Sequence, residues 1–247
     1  MKRMRIIICA LVLGLLAISP AWKSPQDKGD IQAIVVKVKN SVQKNVPTKG
    51  WTSAVTNDRL RSGYQIRTED KSFTLIQFAD ASKLLVRPKS IVDIKGQVDS
   101  KGRILDRSVH TTRGNIAFDV NKSDREQFRF SSPISVASIR GTKGAYISET
   151  VLQNNAEFGQ DRFIINRGLG SFMSLISNQT QDVGSGQTGT ADSQGNLNVR
   201  QSTPQETLEG EGNEPTDDDL KKTKRQLKIP GEDREGKKRT VVLEWEE

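Results

Sequence analysis

Cysteine, histidine and aromatic residues are scarce in this 247-residue chain, which has one Cys, one His, three Trp, two Tyr and eight Phe. Cys9 alone excludes an intramolecular disulfide. If the chain is cut after Ala21, no thiol remains to act as a nucleophile. A single imidazole, His110, cannot build a His-based zinc site. No Gly-x-Ser-x-Gly elbow frames a serine that could join His110 in a triad. The acidic run "TDDDLK" lacks the Asp, Gly and Glu spacing of a calcium loop. The expectations are therefore no metal, no cofactor and no enzyme. A carboxylate pair for glycoside hydrolysis stays open, because it is defined by a separation in space.

Long apolar runs are also missing, apart from the first. "MKRMR" is followed by "IIICALVLGLLAI" and then "SPA", whose Ser19 and Ala21 have the small-residue spacing of a cleavage site. Residues 1–21 read as a secretory signal. The rival reading is a retained anchor, but about 20 apolar residues are needed to span a bilayer and Pro20 ends this run early. The expected mature protein is periplasmic or secreted, with no transmembrane anchor. A lipoprotein cysteine would close the apolar run, whereas Cys9 lies near its start.

The formal net charge of +8 is unevenly spread: Trp22 to Thr203 carries +9, Pro204 to Glu247 carries −4, and the leader +3. A basic body could bind nucleic acid through phosphate neutralisation. Here the cations are dispersed along alternating runs such as "KVKNSVQK" and "RPKSIVDIK", which read as the wet faces of strands, so nucleic acid is not an expected partner. An anionic cell-wall polymer or lipid surface fits a basic body equally well.

What the chain has in abundance is strand signal. "IQAIVVKVKNSV" alternates and predicts Ile34, Val36 and Val38 on one face. In "FTLIQFADASKLLVRP", Ile76 and Phe78 share parity with Leu84 and Val86 around "ADAS", which predicts a hairpin. Short runs continue at regular spacing: "SIVDI", "RILDRSV", "NIAFDV", "QFRFSS", "ISVASI", "GAYISETV", "RFIINR" and "SFMSLIS". The pattern predicts an all-β domain over residues 30–200, a sandwich, roll or solenoid-like stack of short antiparallel strands. No long segment has helical periodicity, and no strict repeat of fixed length is present. Residues 201–239 are polar, rich in mixed charge and poor in aromatics, which predicts a disordered linker. Residues 240–247, "TVVLEWEE", regain alternation. They are expected to dock on their own domain or fray, or to add a strand to a partner with Trp245 as anchor.

With the strands placed, "LRSGYQIRTEDKSFTLIQFADASKLLVRPKS" resembles the FecR domain family of bacterial extracytoplasmic proteins. Leu60, Gly63, Ile66, Thr68, Ser72, Asp80, Ser82, Pro88 and Ser90 stand at the family's spacing. "RGNIAFDV" and "FRFSSPISVASIRGTKGAYI" resemble its downstream strands, the latter containing an Arg-Gly-Thr corner, and "VGSGQ" its late Gly-rich turn. The resemblance spans about Asp30 to Gln194. Three positions depart from it: Tyr64 replaces a usual Asp, Ala81 a usual Gly, and Lys143-Gly144-Ala145 precede the aromatic Tyr146. Ala81 is costly if its turn needs positive φ, and Gly63, Gly114 and Gly141 are expected at positive φ or at a close backbone approach. Asp80 and Ser82 are expected to bond backbone groups of their turn.

The resemblance implies a non-catalytic binding, scaffold or signalling-associated module of the cell envelope. In the family's regulatory branch it implies signalling to a sigma factor through a cytoplasmic N-terminal region, which five residues ahead of the apolar run do not supply. Expected partners are an envelope protein or a cell-wall polymer, with peptidoglycan binding as the alternative function and a homo-oligomer through open sheet edges as a further option. The candidate contact residues are Arg140, Thr142, Lys143 and Trp245. Arg140 has two readings, a guanidinium holding a strand end or a contact to an anionic ligand together with Thr142.

Overall fold

The computed structural model describes residues 31–98, 104–122, 127–153, 156–214, 224–232 and 238–246. The expected signal at 1–21 lies outside them. In chain order the strands are β1 (Ile31–Lys39), β2 (Val42–Val46), β3 (Gly50–Ser53), β4 (Arg59–Arg61), β5 (Tyr64–Thr68), β6 (Phe73–Phe78), β7 (Lys83–Val86), β8 (Ile91–Val98) and β9 (Ile104–Asp119). Then come β10 (Phe128–Ser131), β11 (Ser135–Ile139), β12 (Lys143–Gln153), β13 (Ala156–Arg167), β14 (Leu169–Ser174), β15 (Thr180–Gly184), β16 (Gln187–Asp192) and β17 (Leu197–Gln201). A helix, α1 (Pro204–Gly210), and the strands β18 (Lys224–Glu232) and β19 (Lys238–Glu246) complete the series. The all-β expectation holds.

The strands form two layers joined through β9. One layer runs β4-β1-β6-β7-β9-β12-β13-β16-β17. The other runs β3-β2-β5-β8-β9-β10-β11-β14-β15. Residues Ile104 to Arg113 of β9 belong to the second layer and Gly114 to Asp119 to the first. The sequence reads as two strands there; the structure makes them one of 16 residues. Gly114 permits this, because a Cβ at that position would stand 2.8 Å from the Ser90 Cβ. All pairings are antiparallel except β9 with β10, which is parallel.

Residues alternating along both layers fill the space between them. Leu60, Ile66, Ile76, Leu84, Val92, Ile94, Val109, Ile116 and Phe163 are wholly buried there. The few aromatics are concentrated in one chain of ring contacts, Phe78–Phe128–Phe130–Phe118, with Tyr146 against Phe130 and Phe163–Phe172 beyond. Centroid separations of 4.7 to 6.2 Å give each pair some stabilisation beyond area alone.

The prediction for β1 is corrected. Ala33 and Val35 point inward, while Ile34 and Val36 are about two-fifths exposed. A bulge between Val35 and Lys37 then shifts the register and returns Val38 to the core side. The β6–β7 hairpin is as expected, with Ile76 opposite Leu84. Its turn puts Ala81 at φ +63°, held by Ala81 N–H donating to the Phe78 carbonyl at 3.0 Å. Ala81→Gly is therefore expected to raise stability by about 1 kcal/mol, read as a shifted denaturant midpoint at unchanged slope. A destabilised variant would contradict the cost assigned to this turn.

Part of the stretch expected as a disordered linker has regular structure. Residues 204–210 are helical, and Lys224–Glu232 pairs with Lys238–Glu246 as an antiparallel hairpin that forms its own two-stranded sheet. The helix begins with a capping box: the Glu206 amide donates to the Thr203 hydroxyl at 3.2 Å, and the Thr203 amide donates to the Glu206 carboxylate at 2.8 Å. The segment "TPQE" carries that signal openly, with Pro204 at the first helical position.

Candidate functional site

Asp80, Ser82, Arg140, Gly141 and Thr142 gather at one end of the sandwich, where four connections stack. These are the β6–β7 turn (79–82), the chain leaving β9 (120–122), the β11–β12 turn (140–142) and the β13–β14 turn at Gly168. The Asp80 carboxylate accepts from the Ser82 amide at 3.0 Å and the Ser82 hydroxyl at 2.7 Å. Ser82 Oγ in turn accepts from the Asn121 amide at 3.0 Å, and the Asn121 side-chain amide donates to the Asp80 carbonyl at 2.7 Å. The Val120 amide donates to the Thr142 carbonyl at 2.9 Å. Gly141 sits at φ +65°, and a Cβ there would meet the Lys122 Cβ at 2.9 Å, so this corner needs glycine twice over. Thr68 and Ser90 do the same work one layer away, with the Ser90 amide donating to Thr68 Oγ1 at 3.1 Å. The polar residues and Gly141 of the motif are thus turn and backbone ties, while Leu60 and Ile66 fill the core.

Behind the corner, Arg107 on β9 is buried, forms an ion pair with Asp80, and lies 5.7 Å from the Phe78 ring centre. Asp80, Arg107, Asn121, Gln127, Phe128 and Arg140 line a shallow cleft beside it.

The candidate residues divide. Arg140 is exposed at the cleft rim. Thr142 is wholly buried and its hydroxyl donates to the Leu169 carbonyl at 3.0 Å, so it presents no group to a ligand. Lys143 opens β12 directly opposite Asp119 and Arg167. Trp245 lies in β19 opposite Arg225, outside the main sheet, and the corner does not include it. Reading across one register row of the first layer gives Lys83, Asp119, Lys143 and Arg167. Arg167 donates to Asp119 at 3.1 Å. Lys122 and Arg140 stand in the adjoining turns, beside the Asp80–Arg107 pair. Sequence reading found Arg140 and Lys143, and missed Lys83, Lys122 and Arg167 because only strand pairing aligns them.

At the opposite end lies a polar cluster that sequence reading missed entirely. Asp161 on β13 is wholly buried and accepts through one oxygen from Ser132, from Ser135 at 2.5 Å and from Tyr146 at 3.0 Å. Its other oxygen has no hydrogen-bond partner among the described residues. Burial, and then the Asp161 charge, push the Tyr146 phenol well above its ordinary range. His110 nearby bonds Ser131 Oγ through Nδ1 at 3.1 Å, and burial followed by the Lys95 charge lowers its pKa. The cluster is sealed from solvent and ties the two layers together. Among the described residues no group of three or more His, Cys, Asp or Glu is placed to hold a metal ion.

Residues 64–157 match the model of the family described as FecR protein. This segment is similar to a FecR domain. It runs from β5 through β12 and includes both halves of β9 and the 79–82, 120–122 and 140–142 connections of the corner, but not Arg167 or the turn at Gly168, while the expected extent of Asp30 to Gln194 is broader than the match. No curated protein matches the chain. Two crystal structures of a protein from Parabacteroides distasonis, described as a candidate anti-sigma factor, are similar at 10% identity and a TM-score of 0.45. The alignment covers 58% of this chain and 62% of that one, so the chain spans about three-fifths of that protein's length. No described helix is long and apolar enough to cross a membrane.

Proposed function

We propose that this protein is an exported, non-catalytic module of the cell envelope, associated with signalling, whose FecR domain binds an envelope protein through the basic rim of the Arg140 corner. The carrying observation is the row of Lys83, Lys143 and Arg167 with Lys122 and Arg140 beside it, set on turns held rigid by Asp80, Ser82, Asn121 and Gly141. Rim cations on a preformed surface steer an acidic partner and fix its orientation. The FecR match supports the envelope setting, and the N-terminal apolar run supports export. An anionic wall polymer answers to the same charge and is the alternative occupant.

Arg140→Ala/Lys143→Ala tests this. Both side chains are at least partly exposed, so the fold should be retained within about 0.5 kcal/mol per site. Cross-linking in intact cells from a photoreactive residue at Lys83 should capture a discrete protein in the parent chain. The double variant should lose about tenfold in yield, the equivalent of about 1.4 kcal/mol shared between two rim charges. An unchanged yield overturns the assignment of the rim. Salt-sensitive sedimentation with purified peptidoglycan, without a discrete cross-link, would replace the protein partner by the polymer.

A further inference from the structure

The first layer is apolar on both faces. Along β9, β12 and β13, alternate residues point into the sandwich, while Ala117, Ala145, Ile147 and Ile164 join Phe73 and Leu85 in a second cluster on the outer side. All six are almost fully buried. What crosses this outer face is the segment Thr203–Glu214, part of the stretch that reads as a linker.

The segment is held by charge at its margins. The Glu206 carboxylate takes two hydrogen bonds from Arg200, both at 2.7 Å, and these bonds draw it down to about 2. Arg162 donates to Glu209 at 3.0 Å, the Asn166 side-chain amide donates to the Thr207 carbonyl at 2.7 Å, and Lys37 pairs with Glu214. Over the apolar centre the segment offers mostly backbone. Gly210 is buried against Asn166, and the position of a Cβ at Gly212 lies 3.6 Å from the Ala117 Cβ. Its one large apolar side chain, Leu208, is 56% exposed. An apolar platform ringed by Arg162, Arg200 and Lys37 is thus occupied by a strap that matches the charges and leaves the platform without apolar side chains to pack on.

We propose that this outer face is a docking surface for an acidic peptide segment bearing apolar side chains, and that Thr203–Glu214 is the resident occupant such a segment displaces. The resident defines the chemistry: carboxylates at the margins matched to Arg200, Arg162 and Lys37, and a centre that rewards an added apolar group. The surface adjoins the row of Lys83, Asp119 and Lys143, two residues further along β7, β9 and β12 on the same face, and its test separates the two assignments because it leaves Arg140 and Lys143 in place.

The test uses the full chain and one probe, a fluorescent peptide of residues 202–214 that keeps Gly212, which sits at φ +70°. Displacement should be easier when the resident is weakened, so Glu206→Gln/Glu209→Gln should bind the probe at least tenfold more tightly than the parent. A lock can join Ala117→Cys and Gly212→Cys, because 3.6 Å between Cβ positions suits a disulfide, at a cost of about 1 kcal/mol for a side chain at the φ +70° of Gly212. Oxidation of that variant should abolish probe binding and reduction should restore it, while Ala117→Ser/Gly212→Ser controls for the substitutions. Should the double Gln variant unfold, Glu209→Gln alone, which leaves the capping box intact, takes its place. Equal binding to locked and unlocked protein, or no binding to the weakened variant, overturns the proposal.

Discussion

Asp161→Ala is expected to cost about 3 kcal/mol and to lower the melting temperature by roughly 10 °C. The wholly buried carboxylate accepts from three hydroxyls on two layers, Ser132 in the β10–β11 connection, Ser135 at the start of β11 and Tyr146 on β12. Truncation leaves a cavity and strands those donors. Two effects oppose this. The variant no longer buries a charge, and Ser135 and Tyr146 still bond each other at 2.8 Å. The loss should prevail, because three donors share one oxygen and solvent does not reach them. Asp161→Asn keeps the shape and one acceptor, so it should cost less than half as much. Tyr146→Phe should cost about 1 kcal/mol alone and less in the Asp161→Ala background, since the two share a bond. An Asp161→Ala variant within 1 kcal/mol of the parent would remove the cluster from the list of stabilising features.

The same cluster sets a pH dependence. The Tyr146 phenol has a folded value raised above its ordinary value near 10, with burial the larger cause. Above pH 10 the unfolded chain loses this proton while the folded chain keeps it, so stability falls as pH rises through that window. Below pH 10 both states are protonated and the group contributes no slope. Tyr146→Phe should flatten the alkaline limb measured by chemical denaturation between pH 9 and 11.

Much of the fold is legible in local pattern, because a strand with one buried face writes period two into its sequence. That is why the β6–β7 hairpin and the strain at Ala81 could be read in advance. The failures share a cause: the deciding feature is non-local, or it breaks the period. The bulge in β1 inverts the faces of Ile34 and Val35, and no residue type announces it. β9 appears as two strands because the direction of its contacts changes at Gly114, although its backbone continues. The run Phe163-Ile164-Ile165 does not alternate, which is the mark of a strand buried on both faces, and it is the legible trace of the covered outer surface. The helix that covers it was signalled by "TPQE", outweighed by a composition that reads as disorder. At the candidate corner, Arg140 was visible through its motif. The rest of the rim exists only once β7, β9, β12 and β13 are paired, and Thr142 was misread because a hydroxyl next to an arginine carries no sign of burial.

The ion pair behind that corner carries the second large effect. Arg107 keeps only 3% of its surface exposed, and Asp80, at 22%, is its carboxylate partner. The two substitutions are not equivalent. Arg107→Met removes a buried charge, fills most of the same volume against Phe78, and leaves Asp80 its bonds from Ser82, so it should cost no more than about 1 kcal/mol. Asp80→Ala leaves the guanidinium buried without that carboxylate and also strips the turn of both Ser82 bonds, so the expected loss is about 3 to 5 kcal/mol. Adding Arg107→Met to Asp80→Ala should then recover about half of the loss, since the buried guanidinium that lost Asp80 is gone while the turn bonds are still missing. Denaturant midpoints of the two single variants and the double variant measure this directly. A double variant no more stable than Asp80→Ala would mean that the turn, and not the buried charge, sets the cost. Asp80 would then be a loop residue whose pairing with Arg107 is incidental to the rigidity of the rim.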